Sequence, residues 1–358
     1  MASPGPVRLA VGDPMPRILL SQPGGTAFDS WHQENAGQAR LYWLDAESAL
    51  TAGRELAPAL SACEADWWVV AKTPPPAGVG GVPWLIDPRG DLARAVGVTG
   101  PAAVVVDAGG RLAAVMPRPS YEGAASILER LHAAVTPGTV QFQAPVLLVE
   151  RVLDPALCTR LMEHWQRGEK RADGVASAAG AAHAHAHAHA HADVKRRLDV
   201  PVDDVAVFSA LREALVRRVL PAVLQAFQIR IVQFELPRVG CYDAETGGWF
   251  RRHRDNTTPF TAHRQFAISL NLNSPEEYDG GQVRFPEFGC QRYQPNAGAA
   301  LVFSCSLLHE AVPVTRGRRF GLFTFLHDES RDAQYRRLIA EQQARGLGGV
   351  QMRGAPTR

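Results

Sequence analysis

Three residues of this sequence have the types and spacing of a metal site: His253, Asp255 and His309. On a strand, residues two apart project from one face, so the imidazole of His253 and the carboxylate of Asp255 can reach the same ion. His309 ends a later strand-like segment, and a folded sheet can bring it back beside this pair. Two imidazoles and one carboxylate leave open positions on a six-coordinate Fe(II), although the ligands alone would also suit a zinc hydrolase. In a chain with twelve histidines, an H-x-D pair also arises by chance, and the alternative is a surface histidine beside neighbouring arginines.

A fourth residue, Arg319, lies ten positions beyond His309 at the start of the strand-like segment RRFGLFTFL. A guanidinium fork suits bidentate binding of a remote carboxylate in a partly dry pocket, which a hydrolytic zinc site does not need. Period-two alternation predicts that Arg319 shares a face with Phe323, whereas Arg318 points the other way. Arg316 is expected in the preceding turn, and it is the alternative carboxylate ligand if the register differs.

Short segments with partial alternation surround these four residues: IRIVQFEL, RQFAISLNLN, GGQVRFPEF, GAALVFSCSLL and RRFGLFTFL. Such a pattern, split by Gly, Pro and Asn, is typical of a β-sandwich or a double-sheet jelly roll. Ahead of them, DPALCTRLMEHWQRG predicts a helix with Asp154 as N-cap and Pro155 at its first position. A second amphipathic helix is predicted from the spacing of Val207, Leu211, Leu215 and Val219. The final DESRDAQYRRLIAEQQARG predicts a polar helix.

The first third of the chain has a different pattern, in which strand-like and helix-like segments alternate. The strand-like segments are ARLYWLD, DWWVVAK and PAAVVVDAGGRLAAVM, and Gly109 and Gly110 in the last predict a hairpin. The segment EGAASILERLHAAV has apolar residues at helical spacing before Pro137. We therefore expect an α/β domain over residues 1–137.

Length and charge exclude several classes of function. A chain of 358 residues suits two domains, and 38 Lys plus Arg against 36 Asp plus Glu give no net field for nucleic acid or an anionic membrane. The start, MASPGPVRLAVGDPMPRILL, lacks a charged region followed by an apolar run, and no segment has the apolar length that a bilayer requires. These observations predict a cytoplasmic protein that binds neither nucleic acid nor membrane.

The cysteines and one tract of low complexity predict no further site. The five cysteines are scattered without a C-x-x-C pair and are expected to be buried reduced thiols: Cys63, Cys158, Cys241, Cys290 and Cys305. Residues 168–192 form an Ala/Gly/His tract without large apolar residues, so a mobile surface loop is expected. The five alternating histidines between 183 and 191 define no coordination geometry, which favours incidental expansion with adventitious nickel or zinc binding over a metal store.

The segments VGDPMPRILL and DPRGDLARAVGVTGPAAVVVDAGGRLAAV resemble peroxiredoxins and thioredoxin-like domains. Such enzymes need a cysteine of low pKa at the end of the strand that RLYWLDAES matches, and that stretch has none. Cys63 lies too far along, in a predicted helix. The resemblance therefore implies a redox-inactive thioredoxin-like domain that serves docking or dimerisation.

The H-x-D motif, the later His309, the PVTRGRR after it and the YDGGQVRFPEFG between them resemble the Fe(II)- and 2-oxoglutarate-dependent dioxygenases of the prolyl 4-hydroxylase type. The resemblance covers residues 230–328 and, more weakly, extends back to about 146. It implies a double-stranded β-helix (jelly roll) domain with flanking helices over residues 146–328, followed by a C-terminal helix and tail over 329–358. The whole chain is thus expected to be an α+β protein of two domains.

The resemblance also implies roles for individual residues. It carries over His253, Asp255 and His309 as iron ligands, and Arg319 as the residue that binds the distal carboxylate of 2-oxoglutarate. Tyr242 matches a family tyrosine whose hydroxyl donates to the cosubstrate, although an aromatic residue that packs the loop is the alternative. Asn271, in SLNLN, matches the strand that lines the cosubstrate site. Two other histidines, His263 and His327, lack the spacing and are expected at the surface or behind the ligands.

The activity implied is hydroxylation of a C–H bond with Fe(II), 2-oxoglutarate and O₂, release of succinate and CO₂, and ascorbate as an auxiliary reductant. Family members act on peptidyl proline, free amino acids or small metabolites, so a peptide or small-molecule substrate is expected. Its determinants lie in loops that include NTTPFTAHR, residues 256–264. Two other functions stay open: a thiol-dependent peroxidase through Cys63, and a catalytically silent protein that binds iron or cosubstrate without turnover.

Overall fold

The structure is a computed structural model of the chain, and it describes residues 8–32, 35, 37–77, 79–133, 143–171, 195–259 and 261–344. The predicted mobile loop from 172 onward, with all its alternating histidines, and the C-terminal tail lie outside the described residues. The chain divides into two units, Met1–Thr139 and Val140–Arg358. In the ranges that are described, no helix combines the length and the apolar composition needed to cross a membrane.

The described part of the first unit contains one seven-stranded sheet and helices on both of its faces. Its elements are β1 (Leu19–Ser21), β2 (Ala27–Asp29), β3 (Arg40–Trp43), α1 (Ala49–Ala62), β4 (Asp66–Ala71), β5 (Trp84–Ile86), α2 (Asp91–Val96), β6 (Ala102–Val106), β7 (Leu112–Pro117) and α3 (Tyr121–Ala133). The strand order is β2-β1-β5-β4-β3-β6-β7, in which β3, β4 and β5 run parallel and the other neighbours are antiparallel. All five residues of β6 are buried, because α1 and α3 cover one face of the sheet and α2 the other.

Two predictions for this unit are confirmed. The glycine pair 109–110 joins β6 to β7 as an antiparallel hairpin, and Gly110 has the positive φ of 74° that such turns favour. Cys63 directly follows α1 and is buried and free, and burial followed by the nearby Glu129 raises the pKa of its thiol. A raised pKa is the opposite of what a peroxide-reducing thiolate requires.

The described part of the second unit consists of two sheets and flanking helices. Its elements are β8 (Val146–Val149), α4 (Pro155–Arg167), β9 (Lys195–Arg196), β10 (Leu198–Pro201), α5 (Val205–Ala214), α6 (Leu220–Phe227), β11 (Ile231–Phe234), β12 (Arg238–Asp243), β13 (Trp249–His253), β14 (Phe266–Asn271), β15 (Tyr278–Gly280), β16 (Val283–Arg284), β17 (Arg292–Tyr293), β18 (Ala300–Ser304), β19 (His309–Ala311), β20 (Val314–Asp328) and α7 (Glu329–Ala344). A π-helical segment, Leu215–Val219, joins α5 to α6. The chain is therefore a mixed α/β protein with several sheets.

The larger sheet of this unit is the middle one of three layers. Its order is β10-β12-β20-β14-β18-β8, and β11 and β15 also pair with β20. Helices α4, α5 and α6 pack on one face, where Leu161, Leu211 and Val223 join Ile268 in one buried cluster. The smaller sheet, ordered β17-β16-β19-β13-β9, faces the other side, where Phe285 packs edge-on against Phe303.

Strand β20 shows how alternation assigns side chains to these layers. Phe320, Leu322 and Leu326 join the cluster with the helices. Arg319 and Phe323, which alternate with these residues along the strand, line a cavity between the two sheets, as the period of two predicts. One strand therefore supplies both the helix-facing core and one wall of the cavity.

Helix α4 begins as predicted. The side chain of Asp154 accepts a hydrogen bond of 2.8 Å from the backbone N–H of Leu157, and Pro155 occupies the first helical position. We expect Asp154→Ala to lower the free energy of unfolding of the second unit by about 1 kcal/mol, because one backbone donor loses its partner. A urea titration read by hydrogen exchange on peptides of this unit measures the change. Asp203→Ala, at an exposed carboxylate that caps no helix, is the control and should have no comparable effect.

The cysteine prediction needs one correction. All five cysteines are free, and four are buried as expected, but Cys290 is exposed. It lies between the short turn Pro286–Phe288 and β17, and it belongs to none of the apolar clusters of the described residues. Cysteine type alone therefore predicted burial wrongly where the chain runs over the surface.

Candidate metal centre

The structure brings His253, Asp255 and His309 together. His253 ends β13 and His309 begins β19, and the antiparallel register places the two residues opposite each other. Asp255 is held just beyond β13 by a hydrogen bond of 3.0 Å from its backbone N–H to the carbonyl of Cys305. One donor atom from each of the three side chains lies within 4.8 Å of the others. The Asp255 oxygens are each 3.4 Å from one histidine Nε2.

The hydrogen bonds of the two rings fix which nitrogen faces this centre. Nδ1 of His253 lies 2.7 Å from the carbonyl oxygen of Arg251, and Nδ1 of His309 lies 3.0 Å from that of Leu307. A carbonyl oxygen only accepts, so each Nδ1 carries the proton and donates. In the neutral form each ring would therefore present the lone pair of Nε2 to the Asp255 carboxylate. Two lone pairs that face a carboxylate are the arrangement a divalent cation requires, so the donor set fits a metal ion.

The protonation states of Asp255 and His309 agree with metal binding at this centre. Burial would raise the pKa of Asp255, but the neighbouring His309 and His253 outweigh it and lower the pKa to about 2. Burial lowers the pKa of His309 to about 4, against the opposing effect of Asp255. At neutral pH the carboxylate is ionised and the imidazole is neutral, which are the forms that coordinate metal ions.

Aromatic rings surround the two histidines and hold their orientation. The ring of Phe250 stacks on that of His253 with centroids 3.6 Å apart, and Phe303 meets His309 edge-on at 4.7 Å. The two imidazole centroids are 4.2 Å apart. These contacts restrict ring rotation and exclude water from one side of the centre.

Arg319 lines the same cavity and is 2% exposed. Its Nε and Nη2 donate to Oδ1 of Asn271 at 3.0 and 2.9 Å, Nη2 also donates to Ser269, and Nη1 donates to the carbonyl of Gly281 at 2.6 Å. Each of these partners is neutral. No carboxylate of the described residues pairs with Arg319, so its orientation is fixed by neutral groups and its positive charge fits an anionic ligand in the cavity.

The other two arginines of this strand, Arg316 and Arg318, form ion pairs at the surface. Arg316 donates from Nε to the exposed carboxylate of Asp279 at 2.7 Å, and Arg318 pairs with Asp243 at 2.6 Å. Neither lines the cavity described above. The geometry therefore favours Arg319 over Arg316 as a carboxylate ligand.

Tyr242 and Asn271 occupy different positions relative to the cavity. Tyr242 is buried and lines it, and its hydroxyl accepts a hydrogen bond of 3.1 Å from Nη1 of Arg197. Asn271 is also buried, but its side chain lies behind Arg319 and does not line the described cavity. Its amide nitrogen donates to Tyr278 and to the carbonyl of Pro295. Asn271 thus contacts Arg319 directly and the cavity only through it.

The cavity has a volume of about 310 Å³ and lies between the two sheets. The loop between β13 and β14, which the sequence marked for substrate recognition, contributes Thr257, Thr261 and Arg264 to its wall. Three residues that sequence reasoning missed also stand at this wall or directly behind it: Lys195, Arg197 and Asp199. Their period of two in VKRRLDV was the available signal, because it places all three on one face.

His263 and His327 were expected either at the surface or behind the ligands, and the first alternative is wrong because both are 1% exposed. Nε2 of His263 lies 2.9 Å from Glu235, and the two imidazoles meet edge-on with centroids 5.3 Å apart. Glu235 also accepts two hydrogen bonds from Arg264, at 2.6 and 2.9 Å. The two histidines thus belong to a buried charge cluster behind the cavity wall, which spacing alone did not reveal.

Comparison with known proteins gives one family match. Residues 237–327 match the family described as the 2OG-Fe(II) oxygenase superfamily, and this range contains all three candidate ligands and Arg319. A PKHD-type hydroxylase of Synechococcus sp. (strain JA-2-3B'a(2-13)) is 32% identical over 110 residues, which is 29% of this chain and 48% of that protein. PKHD-type hydroxylase azo0608 of Azoarcus sp. (strain BH72) is 41% identical over 74 residues, 20% of this chain and 33% of that protein. The chain spans about half the length of the first of these relatives and a third of the second.

Among solved structures, a Pseudomonas putida prolyl-4-hydroxylase is 20% identical, with a TM-score of 0.40 over 52% of this chain and 94% of that one. A prolyl hydroxylase from Trichoplax adhaerens, in complex with a peptide fragment of the hypoxia inducible factor oxygen degradation domain, is 16% identical, with a TM-score of 0.40 over 52% of this chain and 86% of that one. The region of the chain that carries the candidate centre is thus similar in sequence to the 2OG-Fe(II) oxygenases.

Proposed function

We propose that the second unit is an Fe(II)- and 2-oxoglutarate-dependent dioxygenase that hydroxylates a C–H bond of a small-molecule or peptide substrate. The observation that carries the proposal is the pair of histidines whose Nδ1 protons are both donated to backbone carbonyls. This leaves two Nε2 lone pairs and one ionised carboxylate for a metal ion, in the region that matches the oxygenase family. In this proposal His253, Asp255 and His309 are the iron ligands.

The cosubstrate would be held by residues whose positions are already fixed. Arg319 would bind the distal carboxylate of 2-oxoglutarate, because its charge has only neutral partners among the described residues. Asn271 positions Arg319 through two hydrogen bonds to its Oδ1, so we assign it a supporting role rather than direct cosubstrate contact. The Tyr242 hydroxyl accepts from Arg197, which leaves its own proton to donate to the cosubstrate.

Iron bound at this centre supplies activation of O₂, coupled to oxidative decarboxylation of 2-oxoglutarate to succinate and CO₂. The protein contributes position and exclusion of water. Phe250, Phe303, Phe323 and Phe325 form an apolar wall around the cavity, which strengthens the electrostatic hold on the cosubstrate and shields reactive species from side reactions. Asp255 stays ionised and neutral His309 keeps its lone pair across the physiological pH range.

The alternative functions have less support. A zinc hydrolase has no use for a buried guanidinium with neutral partners, and Cys63 has a raised pKa that disfavours the peroxidase. A silent binding protein would keep the same geometry, so it is separated from the enzyme by turnover alone.

For the remaining parts of the chain we infer a thioredoxin-like domain over residues 1–137, without redox activity, for docking or dimerisation. Its parallel β3-β4-β5 core covered by helices on both faces supports this. For residues 146–328 we infer a double-stranded β-helix, supported by the two facing sheets, and residues 329–358 are assigned to the C-terminal helix and tail. Ascorbate as auxiliary reductant and a cytoplasmic location stay predictions.

Anaerobic titration of the full chain with Fe(II) and then 2-oxoglutarate tests the proposal. We expect a weak visible charge-transfer band from the chelated cosubstrate, and formation of succinate once O₂ and a substrate panel of peptides and amino acids are added. His309→Ala should abolish both signals, whereas His132→Ala, at an exposed histidine of the first unit, should preserve them. A folded protein that binds Fe(II) without producing the band contradicts the proposal, and a band without succinate across the panel favours the silent binding protein.

A further inference from the structure

A buried group of charges stands at the cavity wall beside Phe250 and Phe323. It is formed by Lys195 of β9, Asp199 of β10, and Arg197 between the two strands. Asp199 lies between the two cations: Nζ of Lys195 is 2.6 Å from its Oδ2, and Nε of Arg197 is 2.6 Å from its Oδ1. The three side chains are between 1% and 7% exposed. Lys195 and Arg197 line the cavity itself, so both cations reach the space in which a ligand would bind.

The backbone opposite this group is shaped for it. Gly240 on β12 pairs with Asp199 on β10. A Cβ at Gly240 would lie 2.4 Å from Oδ1 of Asp199 and 2.8 Å from Nε of Arg197. Any larger residue at 240 would therefore displace the charged side chains, which shows that the group is a packed part of the fold.

The position of this group relates it to the candidate metal centre. Nζ of Lys195 lies 5.6 Å from the centroid of Phe250, whose other neighbour is the stacked ring of His253. On the other side, the guanidinium of Arg197 lies 3.9 Å from the ring centroid of Phe323 and donates to Tyr242. A molecule in the cavity can therefore contact Lys195 while its far end lies beside the ligand His253.

The electrostatics at Lys195 favour an anion in the cavity. Burial, followed by the charges of Arg197 and Arg238, lowers the pKa of Lys195 to about 8, although Asp199 opposes the shift. Arg238 also lines the cavity. An ammonium group that is buried beside two guanidinium groups gains stability when a negative charge binds next to it.

Residue type supports a binding role for this position. The sequence contains three lysines, Lys72, Lys170 and Lys195, against 35 arginines. A lysine is a compact point charge with three rotatable donors, whereas arginine is a planar fork. The cavity, at about 310 Å³, lies at the small end of the roughly 300–1,000 Å³ range of ligand pockets, and 2-oxoglutarate would occupy part of it. The remaining space suits a small substrate.

We propose that Lys195, with Arg197 and Arg238 beside it, binds a carboxylate of the substrate, so that the substrate of this cavity is a small carboxylic acid such as a free amino acid. This inference rests on the proposed function, because it takes the cavity to be the site where the substrate binds. The cavity would then bind two carboxylates at separate places. Arg319 would hold that of the cosubstrate, and the wall formed by β9, β10 and β12 would hold that of the substrate.

Acylation of the three lysines tests this without requiring turnover. The full chain is treated anaerobically with limiting sulfosuccinimidyl acetate at neutral pH, with and without Fe(II) and 2-oxoglutarate, and acetylation at each lysine is measured by mass spectrometry. The ligands are the proteinogenic L-amino acids and, as matched controls, their carboxamides. Because the α-amino groups of the ligands also consume the reagent, acetylation of Lys195 is expressed relative to that of Lys72 and Lys170. We expect at least one free acid to lower this ratio roughly tenfold at a concentration about ten times its dissociation constant, and its amide to leave the ratio unchanged.

Further arms distinguish the source of the carboxylate and the role of the cosubstrate. Peptides with a free C-terminal carboxylate, compared with their amidated forms, separate a peptide substrate from a free acid; protection by the free-terminus peptides alone would overturn the small-acid assignment. The proposal is also overturned if 2-oxoglutarate, added without an amino acid, protects Lys195 as strongly as the amino acids do. Lys195 would then belong to the position that holds the cosubstrate. The proposal is likewise overturned if Lys195 is acetylated to the same extent in the presence of every acid and every amide.

A second measurement applies where the reagent does not reach Lys195. Ligand-observed NMR with the same panel compares the wild-type chain with Lys195→Met, which keeps the apolar stem and leaves Asp199 paired with Arg197. We expect the variant to bind the free acid roughly tenfold more weakly or worse, Lys195→Arg to recover part of the affinity, and Lys170→Met, at an exposed lysine over Trp165, to bind as wild type. Unchanged binding by Lys195→Met would refute the assignment. Acid binding without succinate formation would refute the proposed function instead, so the two failures are distinguishable.

Discussion

Asp255→Asn is expected to raise the dissociation constant for Fe(II) by more than about 100-fold and to abolish succinate formation. Loss of a residue that merely supports a ligand costs about 10–100-fold in metal affinity, so loss of the anionic ligand itself must cost more. The asparagine keeps the size of the side chain but removes the one negative charge between the two Nε2 lone pairs. Anaerobic titration with Fe(II), read by the visible band and by metal content after gel filtration, measures the change.

The matched control is Asp279→Asn, which neutralises an exposed carboxylate that pairs with Arg316 outside the cavity. This control should bind Fe(II) as the wild type does, and circular dichroism of both metal-free variants should show an unchanged fold. Tight, stoichiometric Fe(II) binding by folded Asp255→Asn would show that the three-residue centre is not the metal site.

Glu235→Gln is expected to destabilise the second unit by about 3–5 kcal/mol, the range for breaking a buried ion pair by removing one partner. The buried carboxylate of Glu235 accepts from Arg264 at 2.6 and 2.9 Å and lies 2.9 Å from His263. The amide removes the charge that compensates Arg264, a residue that also lines the cavity. Hydrogen exchange in increasing urea, followed on peptides from residues 195–328, reports this loss separately from the first unit.

The lowered pKa of Glu235 predicts how the stability of the second unit depends on pH. Burial would raise the pKa of Glu235, but Arg264 and His263 outweigh it and lower the pKa from 4.5 to about 2. A carboxyl group whose pKa is lowered by folding stabilises the protein above its unfolded pKa, and this stabilisation is lost as the pH falls. The wild-type chain should therefore lose stability between about pH 4.5 and 2, and Glu235→Gln should flatten that part of the profile.

Two variants make the Glu235 prediction specific. Glu245→Gln changes an exposed glutamate of the same unit and should alter neither the stability nor its pH profile. The double variant Glu235→Leu/Arg264→Met removes both charges and should be less destabilised than Glu235→Gln, because no uncompensated charge is left buried. A double variant that is less stable than the single one would show that packing, rather than charge, dominates at this position.

The candidate centre could be predicted from sequence because its chemistry is concentrated in few residues with a simple geometry. The short spacing of His253 and Asp255 keeps the two side chains close, although Asp255 lies just beyond β13 rather than on the strand. The orientation of Arg319 follows from the period of two along β20. The expectation that Arg316 lies in a turn is wrong, because β20 begins at Val314 and pairs Arg316 with Asp279 of β15. Its position outside the cavity agrees with the same alternation. These features are local, whereas the position of His309 beside the pair depends on how β19 pairs with β13.

The features that sequence reasoning missed depend on contacts between distant segments. Glu235 and His263 are 28 residues apart and meet only when β11 has paired with β20, so the burial of His263 has no local signature. Asn271 was expected to face the cavity, but its Oδ1 accepts two hydrogen bonds from Arg319, and Arg319 rather than Asn271 lines the cavity. The cavity role of Lys195 depends on the pairing of β9 with β13, which a two-residue strand does not predict.

The support of the two candidate histidines comes from backbone atoms, and this has an evolutionary consequence. The carbonyl groups of Arg251 and Leu307 accept the Nδ1 protons, so the side chains at these two positions contribute nothing to the orientation of the rings. Substitutions at 251 and 307 that preserve the local conformation leave the imidazole tautomers unchanged. As far as the tautomers are concerned, positions 251 and 307 are therefore free to diverge, and related chains can orient the same two imidazoles without sharing these two side chains.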